Sequence, residues 1–277
     1  MIDLTKVNKD ANLWSYITLK GDELIRIRHD KRNEYLQEKL HLIEEIVKIS
    51  GKLFEGSKLG ISKMLDEIKN ALNMLGYNKR EVEVKLISRG LFGSGSSFGK
   101  LAFEVGLSFD SIFNVPYIPS SSLKGAVRAA YFTILLQSRL DENKARERCE
   151  YIFGGPNVGA GLVGFTDAYP IQPGEKGYLL YPDVITPHYT EEVASELDVK
   201  PTPITYLTVA PNTHFQFYIF WRNRHSRGIG SKDFSKKPSP NIEELGSLDL
   251  AVLLAMRMGV GAKTMLGYST FELVRYE

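Results

Sequence analysis

The chain has 277 residues, 43% of them hydrophobic, so it can bury one elaborated core or two small ones. Its 35 Lys and Arg residues nearly balance its 33 Asp and Glu residues, and the net charge of +2 excludes a histone-like polycation, so any nucleic-acid site must be a local patch. The single cysteine, Cys149, excludes a disulfide framework, and the lack of a long apolar run argues against a membrane span, so we expect a soluble, cytoplasmic protein.

The N-terminal part of the chain is predicted to be helical over residues 23–78. Apolar residues recur there at helical spacing, and Gly76 follows them as a helix stop. The recurring residues are Ile61, Leu65, Ile68, Leu72 and Leu75. We assign residues 1–79 to a helical extension packed on a main domain of residues 80–277.

The main domain begins with a predicted strand, because charged and apolar residues alternate over residues 81–86. A flexible loop is predicted over the glycine- and serine-rich residues 93–99, and a strand-like apolar run, KLAFEVGLSF, follows. A helix is then predicted to start near Ser121, because a serine cap follows proline and apolar residues share one helical face. That apolar face consists of Leu123, Ala126, Val127, Ala130, Tyr131 and Ile134.

The second half of the domain is predicted to supply strands, one helix and a last strand. Strands are expected over GLVGFTDAYPI, YLLYPDVI and residues 214–221. A helix over about residues 248–258 ends at Gly259, and a glycine-rich loop leads into the strand FELVRY. This order of elements is compatible with an α+β, ferredoxin-like sheet backed by two helices.

Two segments have the chemistry of an anion site. The predicted helix start offers free backbone N–H groups, the hydroxyls of Ser121 and Ser122, and the cations Lys124 and Arg128 one turn apart. An ordinary capped helix with solvated cations would look the same. In the late loop, glycines allow close backbone approach to a ligand and Lys263 supplies charge.

Neither glycine-rich segment matches a nucleotide-binding motif. Ala262 precedes Lys263 in an order of helix, loop and strand, which excludes a Walker A loop. The GSGSSFG segment lacks the spacing of a dinucleotide fingerprint, and a strand-like run follows it.

The motifs PYIPSSSLKGAVR and GVGAKTMLGYSTFEL, with FGG at residue 153, GLVGFTDAYP and DVITPHY, resemble those of the RAMP superfamily. Within that superfamily they are most similar to subunit six of the type III-B CRISPR Cmr complex, over about residues 80–277. The family usually has glycine at the positions of Ser120 and Ser269. The resemblance implies an RRM-like ferredoxin fold in a non-catalytic subunit that contacts CRISPR guide RNA, target RNA and other Cmr subunits in antiviral defence.

The expected RNA-binding residues come from the motifs and from the loop after the first strand. They are Arg89, Ser94, Ser96, Ser97, Ser121, Ser122, Lys124, Arg128, Gly261, Lys263 and Thr264. We expect His188, Arg222 and Arg224 to contact target RNA or a neighbouring subunit. Residues 222–241 are expected to form a mobile basic insertion. The aromatic residues Tyr117, Tyr206 and Phe215 are more typical of the core than of base stacking.

We assign no catalytic residue, metal or cofactor. Related RAMP subunits cut RNA with an aspartate in the loop after the first strand, where this chain has serines. The alternatives are a stand-alone ribonuclease that processes precursor guide RNA through Asp110 or His188, and a scaffold without RNA contact. Asp110 and Asp167 are nevertheless typical of turn residues, and His214 of a packed one.

Overall fold

The computed structural model describes residues 12–28, 32–156, 158–185, 203–222, 228–235 and 245–277. Two helices precede the first strand: α1 spans Leu13–Arg28 and α2 spans Arg32–Met74. The predicted helical region therefore starts at Leu13 and not at residue 23. Gly76, whose φ of 69° is left-handed, lies just after α2, as the stop signal predicted. None of the described helices has the length and apolar character needed to cross a bilayer.

The remaining elements follow in chain order. They are β1 (Asn78–Leu86), α3 (Lys100–Phe103), β2 (Phe109–Asp110), β3 (Val115–Pro116), α4 (Ser120–Gln137), α5 (Glu142–Phe153), β4 (Gly154–Gly155), β5 (Gly159–Ala160), β6 (Val163–Phe165), β7 (Tyr169–Gln172), β8 (Leu180–Ile185), β9 (Ile204–Val209), β10 (His214–Trp221), α6 (Ser247–Met258) and β11 (Phe271–Tyr276). Strands β8 and β9 form a separate antiparallel pair.

The main sheet has the strand order β11–β1–β10–β6, and β7 also pairs with β10. Every pairing in it is antiparallel. Helix α4 follows β1 and α6 follows β10, so the elements have the βαββαβ order of a ferredoxin-like domain. The predicted α+β, ferredoxin-like fold class is confirmed.

The two faces of the sheet are covered by different helices. Alternate residues of β10, among them Phe215 and Phe217, join the core that contains α4 and α6. Tyr218, on the opposite face, packs against Ile61 and Leu65 of α2. An RRM stacks RNA bases on its open sheet face, and here α2 occupies the middle of that face. The division of the chain at residue 80 stays a prediction, although residues of α1 and α2 share the main core with the sheet.

The first part of the strand-like run at residues 100–109 was predicted wrongly, whereas its last residue, Phe109, begins β2. Residues 100–103 form the single helical turn α3 between Gly99 and Glu104, which both have left-handed backbones. The consecutive residues Ala102 and Phe103 are both buried, whereas a strand would bury alternate residues. Helix α5 and strand β9 were not predicted at all. Helix α5 begins after Asp141, whose carboxylate accepts hydrogen bonds from two backbone N–H groups of the first turn.

The start of α4 differs from the predicted serine cap. The capping position is Pro119, and the three serines form the first helical turn. The Oδ1 atom of Asp167 accepts a hydrogen bond from the Ser120 N–H at 2.6 Å. The expected structural role of Asp167 is therefore confirmed, and its carboxylate already lies at the positive end of the helix.

Replacing Asp167 with alanine should lower the free energy of unfolding by about 1 kcal/mol, because a helix start loses its carboxylate acceptor. Urea denaturation of the purified protein measures this difference. The Asp167→Asn variant keeps an acceptor oxygen and should lose less. Equal stability of the alanine variant and wild type would contradict the capping role.

Part of the basic insertion is packed and not mobile. Ile229 and Phe234 are buried, and the Phe234 ring stacks on Trp221 with centroids 4.1 Å apart. Asp233 accepts a hydrogen bond from Arg148 at 2.7 Å. The prediction of a mobile loop is thus wrong for residues 228–235, and the rest of the insertion after Arg222 lies outside the described residues.

Candidate nucleic-acid interface

The glycine-rich loop after α6 lies against the loop that follows β1. The Ala262 N–H donates to the Leu91 carbonyl at 2.8 Å. Gly261 has a φ of 126°, and a Cβ atom there would come within 2.6 Å of the Leu91 carbonyl oxygen. Glycine is therefore required at residue 261 for packing. Its contact with RNA stays a prediction.

Ser269, where the RAMP superfamily usually has glycine, adopts a backbone conformation that favours glycine. Its φ is 58°, in the left-handed region, and its side chain is fully buried. The hydroxyl oxygen accepts a hydrogen bond from the Leu91 N–H at 3.0 Å. The Ser269 N–H donates to the Arg89 carbonyl at 2.9 Å. Serine at this position therefore adds a hydrogen bond that glycine could not make, and the left-handed backbone conformation is retained.

Lys263 is held against two aromatic rings. Its ammonium donates to the Tyr206 hydroxyl at 2.7 Å and lies 4.6 Å and 5.4 Å from the ring centroids of Tyr206 and Tyr268. Burial lowers the pKa of Lys263, and the negative charge of Asp183 opposes this shift. Thr264 begins the 3₁₀ turn that follows and is half-buried.

Asp183 joins this lysine to Arg89. Its buried carboxylate accepts hydrogen bonds from the hydroxyls of Tyr206 at 3.1 Å and Tyr268 at 2.5 Å. It also accepts one from Arg89 at 2.5 Å. Burial is the main cause that raises the pKa of Tyr268, and the hydrogen bond to Asp183 raises it further. We call Arg89, Asp183, Tyr206, Lys263 and Tyr268 the glycine-loop cluster.

Sequence reasoning missed Asp183 as the centre of this cluster. Its only signal was a single carboxylate within the apolar strand β8. Arg89 was predicted as an RNA contact, and the structure shows it in an ion pair, although 41% of its side chain remains exposed. A guanidinium has five N–H donors, so this ion pair leaves Arg89 with further donors for a phosphate.

The serine loop lies beside the glycine-loop cluster, because its neighbour Leu91 carries the hydrogen bonds described above. Ser94 and Ser97 are exposed, and Ser96 is half-buried. Backbone bonds hold the loop: the Ser96 N–H donates to Gly93 at 2.8 Å, and the Gly106 N–H donates to Ser94 at 3.1 Å. Two serine hydroxyls are thus accessible to a ligand.

The first turns of α4 carry the second group of predicted residues. Ser121 is exposed and Ser122 is half-buried, and Lys124 and Arg128 follow one turn apart. Burial lowers the pKa of Lys124, and the positive charge of Arg128 lowers it further. Arg128 lies 3.5 Å from the Gly154 carbonyl oxygen, which is at the limit of a hydrogen bond.

Lys124 also lines a cleft of about 570 Å³ beside strand β6. We call it the β6 cleft; its walls are Tyr77, Lys124, Phe153, Gly154, residues 158–164, Phe220 and Arg222. The structure thus brings together two predicted cations, Lys124 and Arg222, and the described residues that line the cleft include no carboxylate. Tyr77 and Phe220 were not predicted here. Among the described residues, no hydrogen bond or ion pair joins the β6 cleft to the glycine-loop cluster.

Asp110, one of the two alternative catalytic candidates, and His214 both have structural partners. The Oδ1 atom of Asp110 accepts from the Ile112 and Phe113 N–H groups, and Oδ2 accepts from the Tyr169 hydroxyl at 2.8 Å. The expected turn role of Asp110 is confirmed. The Nδ1 atom of His214 lies 2.9 Å from the Glu83 carboxylate, so His214 is packed, as expected.

The three aromatic residues expected in the core are buried to different extents. Tyr206 and Phe215 are fully buried, as expected. Tyr117 is only half-buried and stacks on Tyr169 with centroids 5.8 Å apart. His188 and Arg224 lie outside the described residues, so their contacts stay predictions.

Comparison with known proteins gives a consistent result. The model of the RAMP superfamily matches residues 83–272. The CRISPR system CMR subunit Cmr6 of Saccharolobus solfataricus is 36% identical over 264 residues, which cover 95% of this chain and 80% of that protein. A chain in the cryo-EM structure of the type III-B Cmr-β complex bound to cognate target RNA superimposes with a TM-score of 0.74 and 28% identity, over 97% of this chain and 92% of that chain. With the ferredoxin-like sheet, the start of α4 and the glycine-rich loop in place, the chain belongs to the RAMP superfamily.

Proposed function

We propose that this chain is an RNA-binding subunit of a type III-B Cmr complex, in the position that Cmr6 has in its own complex. The observation that carries the proposal is the 36% identity to Cmr6 over 95% of the chain. The structural similarity to a chain of a Cmr-β complex bound to target RNA supports it. Its partners would be guide RNA, target RNA and the other Cmr subunits, in a cytoplasmic ribonucleoprotein.

Two surfaces would hold the RNA backbone. In the glycine-loop cluster, Lys263 uses one of its three donors on Tyr206, which leaves two for phosphate oxygens. On α4, Lys124 and Arg128 form a second basic surface. Contacts of this kind fix RNA by its phosphates without reading its sequence. A net charge of only +2 is compatible with them, because the charge is local.

We propose that the chain itself does not cut RNA. The loop after β1 carries Ser94, Ser96 and Ser97, and none of these is a carboxylate. Asp110, which lies outside this loop, accepts hydrogen bonds on both carboxylate oxygens, from its own turn and from Tyr169. These bonds hold the carboxylate in the turn and support a structural role.

Contacts with neighbouring subunits would include the tip of the glycine-rich loop. Met265 and Leu266 are 96% and 73% exposed there. Exposed apolar groups in one place are typical of protein contact surfaces. The proposal thus places protein and RNA contacts side by side on this loop.

Affinity purification of the tagged chain from its native cells tests the assignment. We expect mass spectrometry to find the other Cmr subunits and sequencing to find guide RNA in the same fraction. High-salt washing should release RNA before protein partners, because phosphate contacts depend on salt. Recovery of the chain alone, or with proteins unrelated to CRISPR, would contradict the proposal.

A further inference from the structure

We propose that the β6 cleft binds one nucleotide of single-stranded RNA. Its base would stack on the rings of Tyr77 and Phe220, and its phosphates would contact Lys124 and Arg222. The inference rests on the proposed RNA-binding function and names a site for it. Three observations carry it: the half-buried aromatic pair that lines the cleft, the two cations with no carboxylate among the described lining residues, and the volume of the cleft.

The Phe220 ring packs against a glycine in the edge strand β6. Phe220 is paired directly with Gly164 across the β10–β6 ladder. A Cβ atom on Gly164 would lie 2.3 Å from the Phe220 ring, so any larger residue would displace the ring. Tyr77 meets Phe220 edge-on, with centroids 5.3 Å apart and planes at 87°. Both rings are half-buried and line the cleft.

The charged side chains that line the cleft are both basic in the part of the chain that the structure describes. Lys124 comes from α4 and Arg222 follows β10, and no Asp or Glu is among these described lining residues. Glu150 lines a separate cavity, together with Arg128 and Arg146. The burial that lowers the pKa of Lys124 means that its charge is partly desolvated, and a phosphate would stabilise it.

One wall of the cleft is packed tightly on the end of α5. Residues 158–164 form this wall, and a Cβ atom on Gly161 would come within 2.4 Å of the Phe153 carbonyl carbon. The volume of about 570 Å³ falls within the usual range of small-molecule sites. Aromatic rings next to cations are how proteins hold single-stranded nucleic acids, because every base has a stacking face. A duplex would keep its bases stacked on each other, so an unpaired nucleotide fits this cleft better.

The test uses the purified full-length chain and a short single-stranded RNA that contains 5-iodouracil. Ultraviolet cross-linking followed by peptide mass spectrometry locates the base, and filter binding measures affinity at several salt concentrations. The variants are Phe220→Leu, which keeps an apolar side chain in the sheet, and Arg222→Ala, which changes an exposed residue. Tyr117→Leu is the matched control, because Tyr117 is a half-buried tyrosine outside the cleft.

We expect cross-links at Tyr77 or Phe220 in the wild type. Phe220→Leu should weaken binding about tenfold without changing the salt dependence, because stacking carries no charge. Arg222→Ala should reduce the slope of log affinity against log salt by about 0.7, as the loss of one phosphate contact requires. Tyr117→Leu should bind like wild type.

The outcomes separate this inference from the proposed function. Salt-sensitive wild-type binding with cross-links elsewhere, and with full affinity in Phe220→Leu, would overturn the cleft and leave the RNA-binding function standing. Absence of RNA binding by the wild type would overturn both.

Discussion

Replacing Asp249 with alanine should lower the free energy of unfolding by about 3–5 kcal/mol, the largest stability loss that we expect in this chain. Asp249 is fully buried and lies 3.5 Å from the Arg80 guanidinium. It also accepts hydrogen bonds from the Ser235 N–H at 2.7 Å, the Gly246 N–H at 3.0 Å and the Tyr276 hydroxyl at 2.6 Å. Without this carboxylate, a buried cation and three donors lose their acceptor.

Urea denaturation followed by circular dichroism measures this loss. Glu272→Ala is the matched control, because Glu272 is an exposed carboxylate on β11, and its change should stay within about 0.5 kcal/mol. A loss of less than about 1 kcal/mol in Asp249→Ala would show that the surroundings of Arg80 do not need the carboxylate. Those surroundings include the rings of Trp221, Phe234 and Tyr276, with the guanidinium 5.6–5.7 Å from each centroid.

The double replacement of Lys124 and Lys263 with alanine should weaken RNA binding about a hundredfold at low salt. Each lysine would lose a charge-assisted hydrogen bond to phosphate, worth about 1.5 kcal/mol. The two residues lie in different surfaces, so their effects should be nearly additive. Filter binding with labelled single-stranded RNA measures the affinity, and the salt dependence should decrease with it.

The control for this pair is the double replacement of Lys52 and Lys63, two exposed lysines on α2. It removes the same net charge from the chain. We expect a change of less than about threefold, because only long-range electrostatics is altered. An equal loss in both double variants would mean that RNA responds to overall charge, and would contradict the two assigned surfaces.

The elements with a strong local pattern were predictable from the sequence. The aromatic run of β10, the apolar face of α4 and the glycine after α6 each have one physical interpretation, and the structure agrees with it. Helix α3 was not predictable, because its single turn exists where Ala102 and Phe103 enter the core. Tertiary packing decides such short segments, and local propensity does not.

The sequence predicted individual basic residues of the site but not the residues that they contact. Motifs pointed to Lys124, Lys263 and Arg89, but the carboxylate that binds Arg89 comes from a strand 94 positions further along the chain. The β6 cleft gathers Tyr77, Lys124 and Arg222 from three distant segments, and no periodicity connects them. The anchor of α4 likewise comes from Asp167, 47 positions after Ser120. Contacts between side chains so far apart in the sequence follow from the topology of the sheet.

The central claim is that this chain binds RNA and does not cut it. The most direct measurement incubates labelled guide RNA with the purified chain at low and high salt, and records binding and cleavage in the same samples. We predict binding that decreases at high salt, as phosphate contacts require, with the RNA intact throughout. A defined cut that is lost in Asp110→Ala or His188→Ala would contradict the claim and identify the chain as a ribonuclease.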